Sequence, residues 1–250
     1  MQANKGGFFY VLDRITGQFI SATPFSPVNW ASGFDEKGRP QIPAEAYYSP
    51  TTSVLISPSA GGAANWAPRA YSPQTGLVYM PVSGFSNRQY IAVPFDAPPA
   101  SRAIQENGTP RGGRVPAGTP EPSNPPLIGP QGVRGGYLVA FDPVTRTERW
   151  RNAGGGGNGG GALATAGNIV FQVVNDGRLL AYTAADGKQL LEIRTGQTGM
   201  GPPITYQLDG KQYISFLGGT GGQRGRGGEP VPPRMYTFVL DGNAPMPAAP

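Results

Sequence analysis

The side chains that most often carry covalent or metal chemistry are missing: the 250 residues include neither cysteine nor histidine. That excludes disulfides, cysteine nucleophiles, Cys/His metal sites, histidine acid–base catalysis and a CxxCH haem attachment. Carboxylates remain as candidate bases. Asp13, Asp142 and Asp209 stand out, but each lies at a turn: Asp13-Arg14-Ile15-Thr16-Gly17, Asp142-Pro143-Val144-Thr145-Arg146 and Asp209-Gly210. An aspartate in such a place bonds its own backbone, so none is assigned as a catalytic base. The net charge of +5 is dilute, since only 14% of the residues are charged. The densest basic stretch, Gln223-Arg224-Gly225-Arg226-Gly227-Gly228, has the look of an RGG segment. It occurs once and lacks aromatic interleaving, so a basic loop is expected there, with no nucleic-acid partner.

What must position any site is a chain of short strands. Glycine (39) and proline (28) sit between runs rich in Val, Ile, Leu, Phe and Tyr, which is how an all-β protein with many tight turns is written. Strands are predicted at 6–12, 51–57, 77–82, 136–141, 168–174, 178–183, 203–208, 211–217 and 235–240. Asn175-Asp176-Gly177 and Asp209-Gly210 are hairpin signals between apolar runs. The segment 95–134 lacks apolar pattern and is expected to be a long exposed loop. The glycines at 154–157 and 159–161 suggest a second flexible stretch, and 243–250 a Pro-rich tail. No apolar run approaches the roughly 20 residues of a membrane-spanning helix. The N-terminus lacks a signal-peptide layout and enters a strand almost at once, so a start inside a domain is expected.

Three segments share one frame. Val11-Leu12-Asp13-Arg14-Ile15-Thr16-Gly17 aligns with Ala140-Phe141-Asp142-Pro143-Val144-Thr145-Arg146 and with Ala181-Tyr182-Thr183-Ala184-Ala185-Asp186-Gly187. Each is a strand end, a polar turn opened by Asp or Thr, and the start of another strand. Trp150 closes the second copy, where the first and third have Ser21 and Leu191. The last two copies are spaced about as far apart as successive four-stranded propeller blades. A blade cannot bury both faces alone, and a large side chain at a fixed place in each repeat can dock neighbours. A β-sandwich with similar hairpins is the alternative.

The frame resembles the tryptophan-docking repeat, roughly AxDxxTGKxxW, of eight-bladed quinoprotein dehydrogenases. Non-repeated stretches are more specific. Lys5-Gly6-Gly7-Phe8-Phe9-Tyr10-Val11-Leu12-Asp13-Arg14 is similar to the KNGFFYVLDR of their alcohol dehydrogenases, and Asn29-Trp30-Ala31-Ser32-Gly33 to NWATG. Gly61-Gly62-Ala63-Ala64-Asn65-Trp66-Ala67-Pro68 with Tyr71-Ser72-Pro73 resembles GGxNWxPxxYSP. Leu163-Ala164-Thr165-Ala166-Gly167-Asn168 and Pro203-Ile204-Thr205-Tyr206 also have counterparts, in family order. The resemblance implies a β-propeller of the eight-bladed quinoprotein type, incomplete, with roughly four blades in residues 1–242. It implies pyrroloquinoline quinone (PQQ) with a bound Ca²⁺, oxidation of an alcohol, with a sugar as the alternative, and electron transfer to cytochrome c or a membrane quinone. A periplasmic location and the remaining half of the propeller as partner follow from it too.

The same resemblance places the calcium ligands and the catalytic aspartate before the Lys5–Arg14 stretch, outside this chain. Within it, Lys5 matches the cation that hydrogen-bonds the quinone oxygens, and Asn65 a residue that donates to the cofactor edge. An ammonium there favours the reduced cofactor, while an amide serves an oxygen without adding charge. The bland readings are an exposed lysine and a turn asparagine. For Trp66 blade packing is expected, with a place in the pocket wall the alternative. The pattern departs from the family at Gly157-Asn158-Gly159-Gly160-Gly161 and at Thr220-Gly221-Gly222-Gln223, where aromatic residues that flank the cofactor are absent. A propeller that lost its cofactor and acts as a periplasmic interaction scaffold is therefore the second reading.

Overall fold

The structure, a computed structural model, describes residues 1–92, 118, 120–133, 135–154, 159–219 and 231–245. Five strands open the chain: β1 (Gln2–Ala3), β2 (Phe8–Leu12), β3 (Phe19–Pro24), β4 (Gly33–Phe34) and β5 (Pro40–Gln41). The 3-10 turn Ala44–Ala46 is the one helical element among the described residues. Then come β6 (Val54–Ile56), β7 (Ala70–Ser72), β8 (Leu77–Val82), β9 (Arg88–Tyr90), β10 (Tyr137–Asp142) and β11 (Thr147–Ala153). The rest are β12 (Gly161–Ala164), β13 (Ile169–Val173), β14 (Arg178–Thr183), β15 (Gln189–Arg194), β16 (Ile204–Leu208), β17 (Lys211–Gly218) and β18 (Arg234–Val239). Four larger antiparallel sheets result, ordered β1-β2-β3, β7-β8-β10-β11, β12-β13-β14-β15 and β16-β17-β18, with the small pairs β4-β5 and β6-β9.

The chain divides into two compact units. One comprises residues 1–65 and 85–132, the other 66–84 and 133–250. In the first, Phe8, Val28 and Ala31 form a core against which Tyr10, Trp30, Phe34 and Ile128 pack. Of the predicted 95–134 loop, residue 118 and the stretch 120–133 are described. The latter is docked by isolated bridges of Ile128 to Val28 and of Ser123 to Val54, and Pro125 is buried. The Gln223–Gly228 basic stretch, Gly157-Asn158 and Thr220–Gln223 lie outside the described residues.

In the second unit three sheets stack face to face. Strand side chains alternate between faces, and in β13 and β14 both sets are mostly apolar, with Gln172 a buried polar exception. Val170, Leu180 and Tyr182 join Tyr79, Leu138 and Trp150 on one side. Val173 and Leu179, with Phe171, meet Met200, Phe216 and Tyr236 on the other. A strand buried on both faces has no polar side, which is why these segments read as continuous apolar runs.

The repeat frame holds at the level of backbone geometry. Val11 pairs with Ser21, Ala140 with Trp150 and Ala181 with Leu191, and a bulge follows the first residue in all three copies. Each turn closes with the same bond, from the amide of Gly17, Arg146 or Gly187 to the carbonyl of Asp13, Asp142 or Thr183. The closing residues have φ of 74°, 62° and 72°, the left-handed region that favours glycine. The position of Trp150 is therefore fixed by the frame even where its side chain is replaced.

Two expectations are corrected. Gly159, Gly160 and Gly161 do not form a flexible stretch: all three are buried, and Gly161 begins β12. A Cβ on Gly160 would lie 2.1 Å from the Gly201 carbonyl oxygen, and one on Gly161 2.4 Å from Pro68, so these glycines permit close backbone approach. Trp66 does not pack between blades, because it is 59% exposed. By contrast, the Asp209-Gly210 hairpin forms as expected. Both residues have positive φ (51° and 74°) between the paired Leu208 and Lys211, the geometry of a two-residue primed turn.

Candidate functional site

Lys5 stands at the tip of the β1–β2 hairpin. Ala3 pairs with Phe9, and the amide of Gly7 donates to the Asn4 carbonyl at 3.3 Å, closing a four-residue turn with Lys5 and Gly6 at its centre. The Asn4 side chain accepts from the Gly6 amide at 3.0 Å. Gly7 has φ 87°, and a Cβ there would meet Val28 at 2.6 Å, so only glycine fits without displacement. The Lys5 side chain itself is exposed.

Two distant segments hold this tip. The Trp30 indole donates from Nε1 to the Gly6 carbonyl at 2.8 Å, and a Cβ on Gly6 would touch the same ring at 3.1 Å. Trp30 is steadied by edge-to-face contact with Phe8 at 5.6 Å between ring centroids. From the other segment, the Ala63 amide donates to the Lys5 carbonyl at 2.9 Å. Gly62, in a turn closed by its own amide onto the Ser59 carbonyl at 2.8 Å, has φ 80°. A Cβ there would lie 2.6 Å from Lys5 Cβ and 2.7 Å from its Cγ.

Asn65 is carried on the same 59–65 loop, half-buried, with its amide nitrogen donating to the Gly61 carbonyl at 3.3 Å. The two residues singled out in the sequence therefore sit on adjoining turns tied by a direct backbone bond. Their chemistry is complementary: a mobile charge on a fixed base, and a neutral amide with both donor and acceptor capacity. Asn29, beside Trp30, serves structure instead. It is buried, donates to Leu55 at 2.8 Å and accepts from the Ser57 amide at 2.8 Å. Trp30 also lines a cavity of about 460 Å³, together with Ile56, Tyr47, Tyr48 and Tyr90 among others.

The acidic candidates behave as turn closers. Asp13 accepts from the amides of Ile15 and Thr16 at 2.9 and 2.8 Å. The Thr16 amide, then its hydroxyl, holds the Asp13 carboxyl below the usual carboxylate range. Asp142 accepts from Val144 and Thr145 at 2.9 and 3.0 Å, and the Thr145 amide depresses it likewise. A carboxylate stabilised in its charged form by fixed donors is a poor proton acceptor. Among the described residues no group of three Asp or Glu side chains could hold a metal ion.

What the sequence missed are the supports, Gly62 and Trp30. Both lie inside stretches already noted, the Gly61-Gly62 pair and Asn29-Trp30. Periodicity says nothing of which turn they would meet.

Antiparallel sheets carrying one recurrent bulge-and-turn frame, stacked through a tryptophan, define a β-propeller repeat protein. Residues 39–214 match the family model of the PQQ glucose/ethanol/alcohol dehydrogenase β-propeller domain, and the chain belongs to that family. It is 41% identical over 253 residues to the 1-butanol dehydrogenase (cytochrome c) of Thauera butanivorans, covering 99% of this chain and 35% of that one. The crystal structure of the quinohemoprotein alcohol dehydrogenase from Comamonas testosteroni superposes with a TM-score of 0.76 at 38% identity, over 98% of this chain and 36% of that one. The quinohemoprotein alcohol dehydrogenase ADHIIG from Pseudomonas putida HK5 gives 0.74 at 32% identity, over 99% and 37%. The chain thus spans about a third of the length of the relatives it matches, and the fold is an incomplete quinoprotein propeller.

Proposed function

We propose that this chain is part of a PQQ-dependent alcohol dehydrogenase that oxidises an alcohol to the carbonyl compound and passes the electrons to a cytochrome c. The carrying observation is the pair of adjoining turns that presents Lys5 and Asn65 together. A cation on an anchored turn, with an amide on the adjoining turn, fits a polyanionic quinone: the ammonium matches oxygens that gain charge on reduction, and the amide matches one that needs a neutral donor. When bound, the quinone supplies the acceptor for the electrons leaving the alcohol, and Ca²⁺ the Lewis acid. The calcium ligands and the base that takes the alcohol proton would come from outside this chain, since Asp13 and Asp142 are committed to turns. Lys5 and Asn65 bind and orient. A periplasmic setting is the one in which such an enzyme would meet its cytochrome.

The remaining part of the propeller would also supply a neighbour for the open face of the β16-β17-β18 sheet. Binding of PQQ to the full-length protein tests the site reading. Lys5→Ala should weaken it about tenfold or more, as expected for loss of one charge-assisted hydrogen bond, and Asn65→Ala by less. Equal affinity of wild type and Lys5→Ala, measured by equilibrium dialysis, would remove Lys5 from the site.

A further inference from the structure

We propose that Gly62 and Trp30 are positioning residues for the Lys5 ammonium, acting from two distant segments that meet at the hairpin tip. The inference rests on the reading of Lys5 as a cofactor contact. An ammonium on a four-carbon stem is a poor specific donor unless its base is fixed, because each free rotamer dilutes the productive one. Here the base is held three ways. Trp30 Nε1 bonds the Gly6 carbonyl at 2.8 Å. The Ala63 amide bonds the Lys5 carbonyl at 2.9 Å. The bare Cα of Gly62 lies so close that a Cβ on it would stand 2.6 to 2.8 Å from Lys5 Cβ, Cγ and Cα.

Those three Lys5 atoms are backbone or the root of the side chain, which cannot swing aside as a chain end can. Alanine at position 62 must therefore displace the lysine or the loop that carries Asn65. The close approach acts as a template, setting where the stem leaves the turn and so where its charge is delivered. Trp30 does the same through one hydrogen bond, with its ring kept in place by Phe8.

The test is a double-mutant cycle on PQQ affinity in the full-length protein, by equilibrium dialysis, with thermal unfolding of each variant alongside. Gly62→Ala should weaken PQQ binding about as much as Lys5→Ala, at least fivefold. Trp30→Phe, which keeps a ring and loses the N–H, should weaken it roughly threefold, the scale of one neutral hydrogen bond. In a Lys5→Ala background the loss from Trp30→Phe should vanish and that from Gly62→Ala should shrink to the part due to the displaced Asn65 loop, since there is no ammonium left to misplace. Losses that persist unchanged without Lys5 would overturn the proposal, because the two residues would then act through the fold alone. Unaltered affinity in Gly62→Ala and Trp30→Phe, with Lys5→Ala impaired, would overturn it as well and leave the Lys5 reading standing. No effect of Lys5→Ala would sink both. Should Gly62→Ala fail to unfold cooperatively, Trp30→Phe decides by the same criteria.

Discussion

The sheets β12–β15 and β16–β18 are built by the same alternation, yet among the described residues only the first is covered on both faces. In β13 and β14 one set of side chains packs around Trp150 and the other around Phe216 and Tyr236. In β17 and β18 the inward set, Phe216 and Tyr236, is buried, while the outward pair Leu217 and Met235 is 43% and 66% exposed. Ile204 and Tyr206 lie on the same outward face, through their pairing with Ser215 and Tyr213. The composition of the two sheets is alike; their surroundings differ. Among the described residues, the apolar side chains of β13 and β14 meet neighbours on both sides, and those of β17 and β18 on one.

The comparison breaks most visibly at Trp150. Its indole is 8% exposed, packs against Tyr79 and Tyr182, and donates to the Ala184 carbonyl of the next sheet at 3.0 Å. Trp150→Ala is expected to cost about 3–5 kcal/mol, the range for a large aromatic deleted from a core, in urea unfolding followed by far-UV circular dichroism. A loss under 1 kcal/mol would mean that the sheets do not depend on this contact.

A finer comparison uses equivalent glycines of the frame. A Cβ on Gly187 would lie 2.6 Å from the Trp150 ring, whereas one on Gly17 meets nothing within 4 Å, at nearly the same φ. Gly17→Ala should therefore show only the backbone cost, ~1–2 kcal/mol. Gly187→Ala should exceed it by ~1–3 kcal/mol for overpacking. Equal losses would show that Trp150 yields freely.

The smallest expected effect on stability lies on the open face. Leu217→Ser and Met235→Ser should change it by no more than about 0.5 kcal/mol, as for exposed positions. They should nonetheless lower self-association of the isolated chain, because contiguous exposed apolar surface drives it. Light scattering that finds the unsubstituted chain monomeric at tens of micromolar, roughly where such surface associates, would remove the argument for a missing neighbour.

Much of this was legible in the residues. β8 and β14 fall at their predicted bounds, because Leu77–Val82 and Leu179–Tyr182 are unbroken apolar runs close to turn signals. β12 was not legible: Gly161-Ala162-Leu163-Ala164 follows a glycine run, and glycine means freedom or close approach according to what lies opposite. Here Pro68 and Gly201 lie opposite. β9, Arg88-Gln89-Tyr90, carries no apolar alternation and forms by pairing with β6. The frame survived loss of its tryptophan because the bulge and the left-handed turn residue, not the indole, set the register. At the candidate site the residue types were legible and their meeting was not. Nothing in a one-dimensional pattern says that Gly62 will press on Lys5.

The proposed division of labour is that this chain orients the cofactor while the base and the calcium ligands lie elsewhere. Dye-linked alcohol oxidation, assayed with added PQQ and Ca²⁺ on the isolated chain and on the full-length protein, tests it most directly. The account predicts turnover by the full-length protein and none by the chain alone. Turnover by the isolated 250 residues, or its absence from the full-length protein, would contradict it.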